Sequence, residues 1–133
     1  MGDMRSRHIS VVVAATKDEV YTFAADADNL PRWAAGLASG IRQEGDLLIT
    51  QSPMGEVTVR FALPNPFGIL DHDVTLPDGT VVANPLRVIE HPDGAEVVFT
   101  VRQRDLSDDD FEADCAAVEG DLEALRQVVT ERS

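Results

Sequence analysis

The sequence predicts an α+β chain in which seven antiparallel strands and two short helices precede one long C-terminal helix. Three observations carry this. The β-branched, apolar run "RHISVVVAA" (Arg7 to Ala15) reads as a buried strand and runs directly into a helix-start signal. From Ser39 to Arg104, short alternating segments are divided by turn-forming residues every few positions. From Ser107 onward the apolar positions recur at helical spacing without interruption.

Each element follows from local chemistry. Thr16 and, three residues on, Glu19 form a capping-box pattern, so a helix begins there and presents Val20, Phe23 and Ala24 on one face. "DNLPRWAAGL" predicts a second short helix, with Pro31 in its first turn and Gly36 near its end. Alternation then marks six strands: "GIRQEG", "LLITQS", "EVTVRFAL", "ILDHDVTL", "TVVANPLRVIE" and "EVVFTVRQR". The links between them, "EGD", "SPMG", "PNPFG", "PDG" and "HPDG", are turn chemistry. Pro85, inside the fifth of these segments, predicts an edge position or a bulge. In the last helix Ser107 is the N-cap, and Phe111, Cys115, Val118, Leu122, Leu125 and Val129 form one stripe. Gly120, in mid-helix, predicts a bend or a close contact.

Composition narrows the functional classes. With 133 residues, 44% of them hydrophobic, the chain is expected to fold as a single domain over residues 1–133 with a real core. One cysteine, Cys115, rules out an intrachain disulfide and argues against a cysteine-based metal cluster; no metal or cofactor is expected. The net charge of −13 is concentrated at the end, where residues 105–133 carry −8. Lys17 is the only lysine, so clustered cations for a phosphate backbone or an anionic membrane are lacking, and no nucleic-acid partner is expected. The acidity reads as a solvated helix face. No apolar run is long enough for a membrane span and no signal-peptide pattern is present, which leads to an expectation of a cytoplasmic protein, monomeric or weakly dimeric.

The order strand, two helices, six strands, long helix resembles the START-like, or SRPBCC, superfamily with its helix-grip fold. That superfamily includes polyketide cyclases, pollen-allergen-like proteins and lipid-transfer domains. The resemblance rests on "ISVVVAATKDEVYTFAADADNLPRWA", on "FGILDHDVTLPDG", "NPLRVIE" and "EVVFTV", and on the terminal "DLEALRQ", and so spans nearly the whole chain. It implies a strongly curved sheet gripping the last helix, with an apolar cavity between them and the two short helices closing one end.

Strand parity locates the residues that would face such a cavity, because alternate residues share a face. Val57, Val59, Phe61 and Leu63 point one way, and Val97, Phe99 and Val101 form a second such set. In "ILDHDVTL" the inward set is Leu70, His72, Val74 and Leu76, which places Asp71 and Asp73 on the far face. "DHD" is therefore not a histidine–carboxylate dyad. His72 is an inward polar group that could be a hydrogen-bonded core residue, a ligand-recognition group or an acid–base catalyst. Asn84 shares parity with Val82, Leu86 and Val88, while Arg87 is expected in a solvent-face salt bridge. Trp33 could line the cavity mouth or simply pack between helix and sheet.

The expected function is binding of a small hydrophobic molecule, lipid or polyketide-like, between sheet and C-terminal helix. Trp33, Phe61, Phe99 and Val118 would give apolar walls, with His72 and Asn84 as orienting polar groups. The alternatives are a cyclase- or dehydratase-type enzyme using His72, and a co-chaperone-like protein-interaction domain that uses the acidic last helix.

Overall fold

The computed structural model describes residues 4–35 and 40–132. Strand β1, Ser6–Val13, leads through the cap at Thr16, whose Oγ1 accepts the Glu19 N–H at 3.1 Å, into α1, Lys17–Ala25. Val20, Phe23 and Ala24 are its buried residues, as their spacing requires. A 3₁₀ turn, Ala27–Asn29, and a single α turn, α2, Leu30–Trp33, follow. Six further segments of sheet are β2, Arg42–Glu44; β3, Leu47–Ser52; β4, Gly55–Phe61; β5, His72–Thr75; β6, Val81–Asn84; and β7, Leu86–His91. Strand β8, Gly94–Arg102, precedes the 25-residue helix α3, Asp108–Arg132.

Two sheets result, with strand orders β1-β8-β7 and β2-β3-β4-β5-β6, all antiparallel. The segment before β5 joins them. Leu70 N–H donates to Leu86 O at 2.8 Å, Val88 N–H donates to Gly68 O at 2.9 Å, and Ile69 pairs with Arg87. The two sheets thereby form one curved surface that wraps α3. The arrangement has eight strands instead of the expected seven because Pro85 divides "TVVANPLRVIE" into β6 and β7, one in each sheet. Proline has no N–H to donate, so the ladder stops there and resumes against a new neighbour.

The stripe on α3 is the inner wall of the core. Phe111, Cys115, Leu122, Leu125 and Val129 are all buried, and the first four are at most 1% exposed. Fully burying one such large apolar side chain contributes about 1.5–3 kcal/mol relative to leaving it in water. At the N-terminal end of α3, Ser107 Oγ accepts the Asp110 N–H at 3.1 Å, and three aspartates sit in the first turn where the helix dipole favours them. Arg5 and Arg7 lie over the Phe111 ring and pair with Asp108 and Glu112, which ties β1 to the start of the helix.

Three further sequence expectations change. The second helix stops at Trp33: Ala34 is extended, and the Ala35 N–H that would continue the α turn goes to the Asp121 carboxylate of α3 at 3.1 Å. Gly36, expected near its end, lies outside the described residues. Strand β4 ends at Phe61, so Leu63 leaves the inward row and is 73% exposed. The following loop is folded on Asn65, whose Oδ1 accepts the N–H groups of Phe67 and Ile69 while its Nδ2 donates to Leu63 O and Ile69 O. Gly120 faces open space, where an added Cβ would meet nothing within 4 Å, so it makes no close contact.

Candidate ligand-binding site

A cavity of about 330 Å³ lies between the five-stranded sheet, β8, α2 and α3. Its volume is at the small end of the range of about 300–1,000 Å³ typical of small-molecule sites. All six residues singled out from the sequence, Trp33, Phe61, His72, Asn84, Phe99 and Val118, line it. Leu30, Ala34, Val57, Val59 and Val74 add apolar wall, and Thr50, Ser52 and Asp121 add polar atoms. A larger hollow of about 450 Å³ lies between α1 and the end of α3, but Asp18, Glu19 and Asp26 form much of its rim. That acidic opening offers less apolar enclosure than the cavity over the sheet.

The sheet side of the cavity is a cross-strand row. Phe61 of β4 pairs in register with His72 of β5, which pairs with Asn84 of β6. Side chains directly opposite on antiparallel strands lie close enough to touch. The His72 and Phe61 rings are 4.6 Å apart, tilted by 30°. Phe99, arriving from β8 of the other sheet, meets His72 edge-on at 5.7 Å and 74°. His72 is thus clamped between two aromatic rings contributed by different sheets.

His72 Nδ1 lies 3.0 Å from Leu70 O. A carbonyl oxygen only accepts, so Nδ1 carries the hydrogen and donates it. In the neutral ring this leaves Nε2 as an acceptor. Burial lowers the histidine's pKa, against smaller opposing effects from the Leu70 carbonyl, Asp71 and Asp73, so the neutral ring is favoured. The two aspartates act only at a distance. Asp71 accepts from the Leu86 N–H at 2.9 Å and binds Arg87 through both carboxylate oxygens, on the side parity assigns it. Arg87 is therefore in the solvent-side salt bridge expected of it.

The helix side carries different chemistry. Trp33 is 5% exposed, and its Nε1–H has no hydrogen-bond partner among the described residues. An unmet buried donor costs about 1–3 kcal/mol, so a partner reaching it would relieve that penalty. Asp121 projects from α3 into the same cavity wall, where burial raises the carboxyl pKa and the Ala35 N–H partly offsets the rise. The hydroxyls of Thr50 and Ser52 are already committed, donating to Gly40 O at 3.0 Å and Gly55 O at 2.9 Å. Asn84 lines the cavity and makes no side-chain hydrogen bond among the described residues.

The sequence matches no described protein family and no curated protein. Solved structures do match it. A protein from Chromobacterium violaceum, 12% identical, superposes with a TM-score of 0.70 over 94% of this chain and 97% of its own. Ara h 8.0201, also 12% identical, superposes with a TM-score of 0.68 over 97% of this chain and 99% of its own. The di-domain ARO/CYC StfQ from the steffimycin biosynthetic pathway, 13% identical, gives 0.68 over 97% of this chain and 51% of that one. The fold is the helix grip. This chain spans about half the length of StfQ, while the first two neighbours match it end to end.

Within the helix grip, three polar wall residues went unnoticed in the sequence. Thr50 and Ser52 share parity with Leu48 on β3, and alternation alone would have placed them inward. Asp121 lies three residues beyond Val118 and four before Leu125, so it borders the apolar stripe of α3. That spacing was its signal, hidden among many acidic neighbours. His8 contacts Thr100 Oγ1 through Nδ1 at 2.8 Å. No cluster of metal-ligating side chains occurs among the described residues, and no described helix is long and apolar enough to cross a membrane.

Proposed function

We propose that this chain is a one-domain binding module that holds a small, largely apolar molecule in the cavity between sheet and α3. The observation that carries the reading is the convergence of Trp33, Phe61, His72, Asn84, Phe99 and Val118 on one cavity otherwise lined mainly by aliphatic side chains. Such a site gains affinity from apolar burial and orientation from a few polar atoms. The helix-grip neighbours support a ligand-binding use of the fold.

Native mass spectrometry of the purified protein, combined with titration of the neutral dye N-phenyl-1-naphthylamine, tests this. Retained small-molecule mass or saturable dye binding is expected, and cavity-filling variants Val118→Phe and Ala34→Leu should abolish it while keeping the native circular dichroism spectrum. Dye binding that is undiminished in both folded variants would place the site elsewhere.

A second reading, a cyclase- or dehydratase-type enzyme using His72, is favoured by one feature. A neutral imidazole with a free Nε2 in an apolar wall is a competent general base. Recovery of a bound molecule chemically unchanged after prolonged incubation would count against it. The interaction-domain reading has less support, because Asp108 and Glu112 on the acidic helix are already paired with Arg5 and Arg7.

A further inference from the structure

The polar atoms of the cavity have a sign. On the sheet side His72 offers an acceptor at Nε2, since its Nδ1–H is held by Leu70 O. On the helix side Asp121 offers carboxylate oxygens, of which Oδ1 receives the Ala35 N–H. Trp33 Nε1–H is a neutral donor without a partner among the described residues, and Asn84 can donate or accept. No lysine or arginine is among the lining residues described. Arg87, close in sequence, is turned away and held by both oxygens of Asp71.

We propose that the cavity selects an uncharged, hydroxyl-bearing molecule whose O–H donates to His72 Nε2, and that it excludes carboxylates of the same size. This rests on the cavity being the binding site. A carboxylate entering it would lose hydration without meeting a cation and would face Asp121, and a buried unpaired charge is far more costly than a buried hydroxyl that finds an acceptor. A hydroxyl gives the Nε2 acceptor a donor. A molecule with neither group gains only apolar contact. The aromatic clamp of Phe61 and Phe99 holds the imidazole in place, so the acceptor is fixed before the ligand arrives.

Three matched two-ring probes separate these cases by isothermal titration calorimetry at neutral pH: 2-naphthol, 2-naphthoate, which is ionised there, and naphthalene. The wild-type protein should bind 2-naphthol at least about tenfold more tightly than 2-naphthoate, and more tightly than naphthalene. His72→Phe, which keeps an aromatic ring but loses the acceptor, should bring 2-naphthol down to the level of naphthalene. Asp121→Asn should narrow the gap between 2-naphthol and 2-naphthoate.

Equal or tighter binding of 2-naphthoate by the wild type would overturn the selectivity and leave the cavity reading standing. Unchanged 2-naphthol affinity in folded His72→Phe would overturn the role of Nε2. No binding of any probe, together with no dye binding, would overturn both the selectivity and the cavity reading.

Discussion

Asp71 and Arg87 form a two-point ion pair across the seam of the two sheets, with Arg87 Nε donating to Oδ1 at 2.9 Å and Nη2 donating to Oδ2 at 2.7 Å. The same Oδ1 accepts the Leu86 N–H at 2.9 Å, immediately after Pro85 interrupts the ladder. The aspartate beside His72 thus repairs a break in the sheet and does not serve the imidazole.

Asp71→Asn should therefore destabilise the fold modestly, by about 1 kcal/mol, since the pair is partly exposed and screened by water. The Arg87 guanidinium, and after it the Leu86 N–H, hold the Asp71 carboxyl below its usual pKa. Its contribution is present above the unfolded value, about 3.9, and is lost as the pH falls through the lower folded value. Urea unfolding at neutral pH and in acid should show a shallower acid limb for the variant. Superimposable pH profiles would mean that the pair contributes nothing.

His72 has a different window. Burial holds its folded pKa below the unfolded value of about 6.5, so the unfolded chain takes up the proton first. Stability should be unaffected above that value and should decline as the pH drops through it toward the folded pKa. Replacing His72 with Phe should flatten this part of the unfolding curve. Titration of the histidine ring by NMR gives the folded value directly, and a normal or raised one would refute the assignment of a neutral ring.

At Asp121 the sign is opposite. Burial raises its carboxyl pKa, so at neutral pH the ionised form disfavours folding, and protonation relieves this as the pH falls. Asp121→Asn preserves an oxygen for the Ala35 N–H and removes the charge. The variant should be more stable than wild type at neutral pH, by a few tenths to about 1 kcal/mol, with the gain shrinking in acid. A less stable variant at neutral pH would show that the charge itself is needed.

Two glycines should respond in opposite directions to alanine. Gly68 sits at φ +77°, and an added Cβ would lie 2.2 Å from Val88 O, inside the pairing that joins the sheets. Gly68→Ala should cost several kcal/mol or prevent folding, because the contact is with backbone that cannot swing aside. Gly120 is helical and faces open space, so Gly120→Ala should stabilise by about 0.5–1 kcal/mol. Thermal unfolding of both variants distinguishes the two environments, and parallel shifts would contradict them.

Strand alternation made Phe61, His72, Asn84 and Phe99 legible, since the face a side chain takes is decided by its own strand. The stripe of α3 was legible for the same local reason, and it brought Val118 with it. What escaped depends on distant partners. The end of α2 is set by Asp121, 86 residues away along the chain from Ala35. Pro85 announced a break, yet which sheet each half joins is decided by distant partners, β5 for β6 and β8 for β7. Leu63 kept the parity of β4 on paper, but the Asn65 turn had already taken over the backbone.

Trp33 is the single tryptophan of the chain, and it stands in the cavity wall. Every photon of indole emission therefore originates at the candidate site, with no second fluorophore of its kind to average against. The wavelength, intensity and lifetime of that emission should follow occupancy, hydration and hydrogen bonding at one address. The unmodified protein is thus its own optical reporter of whatever enters.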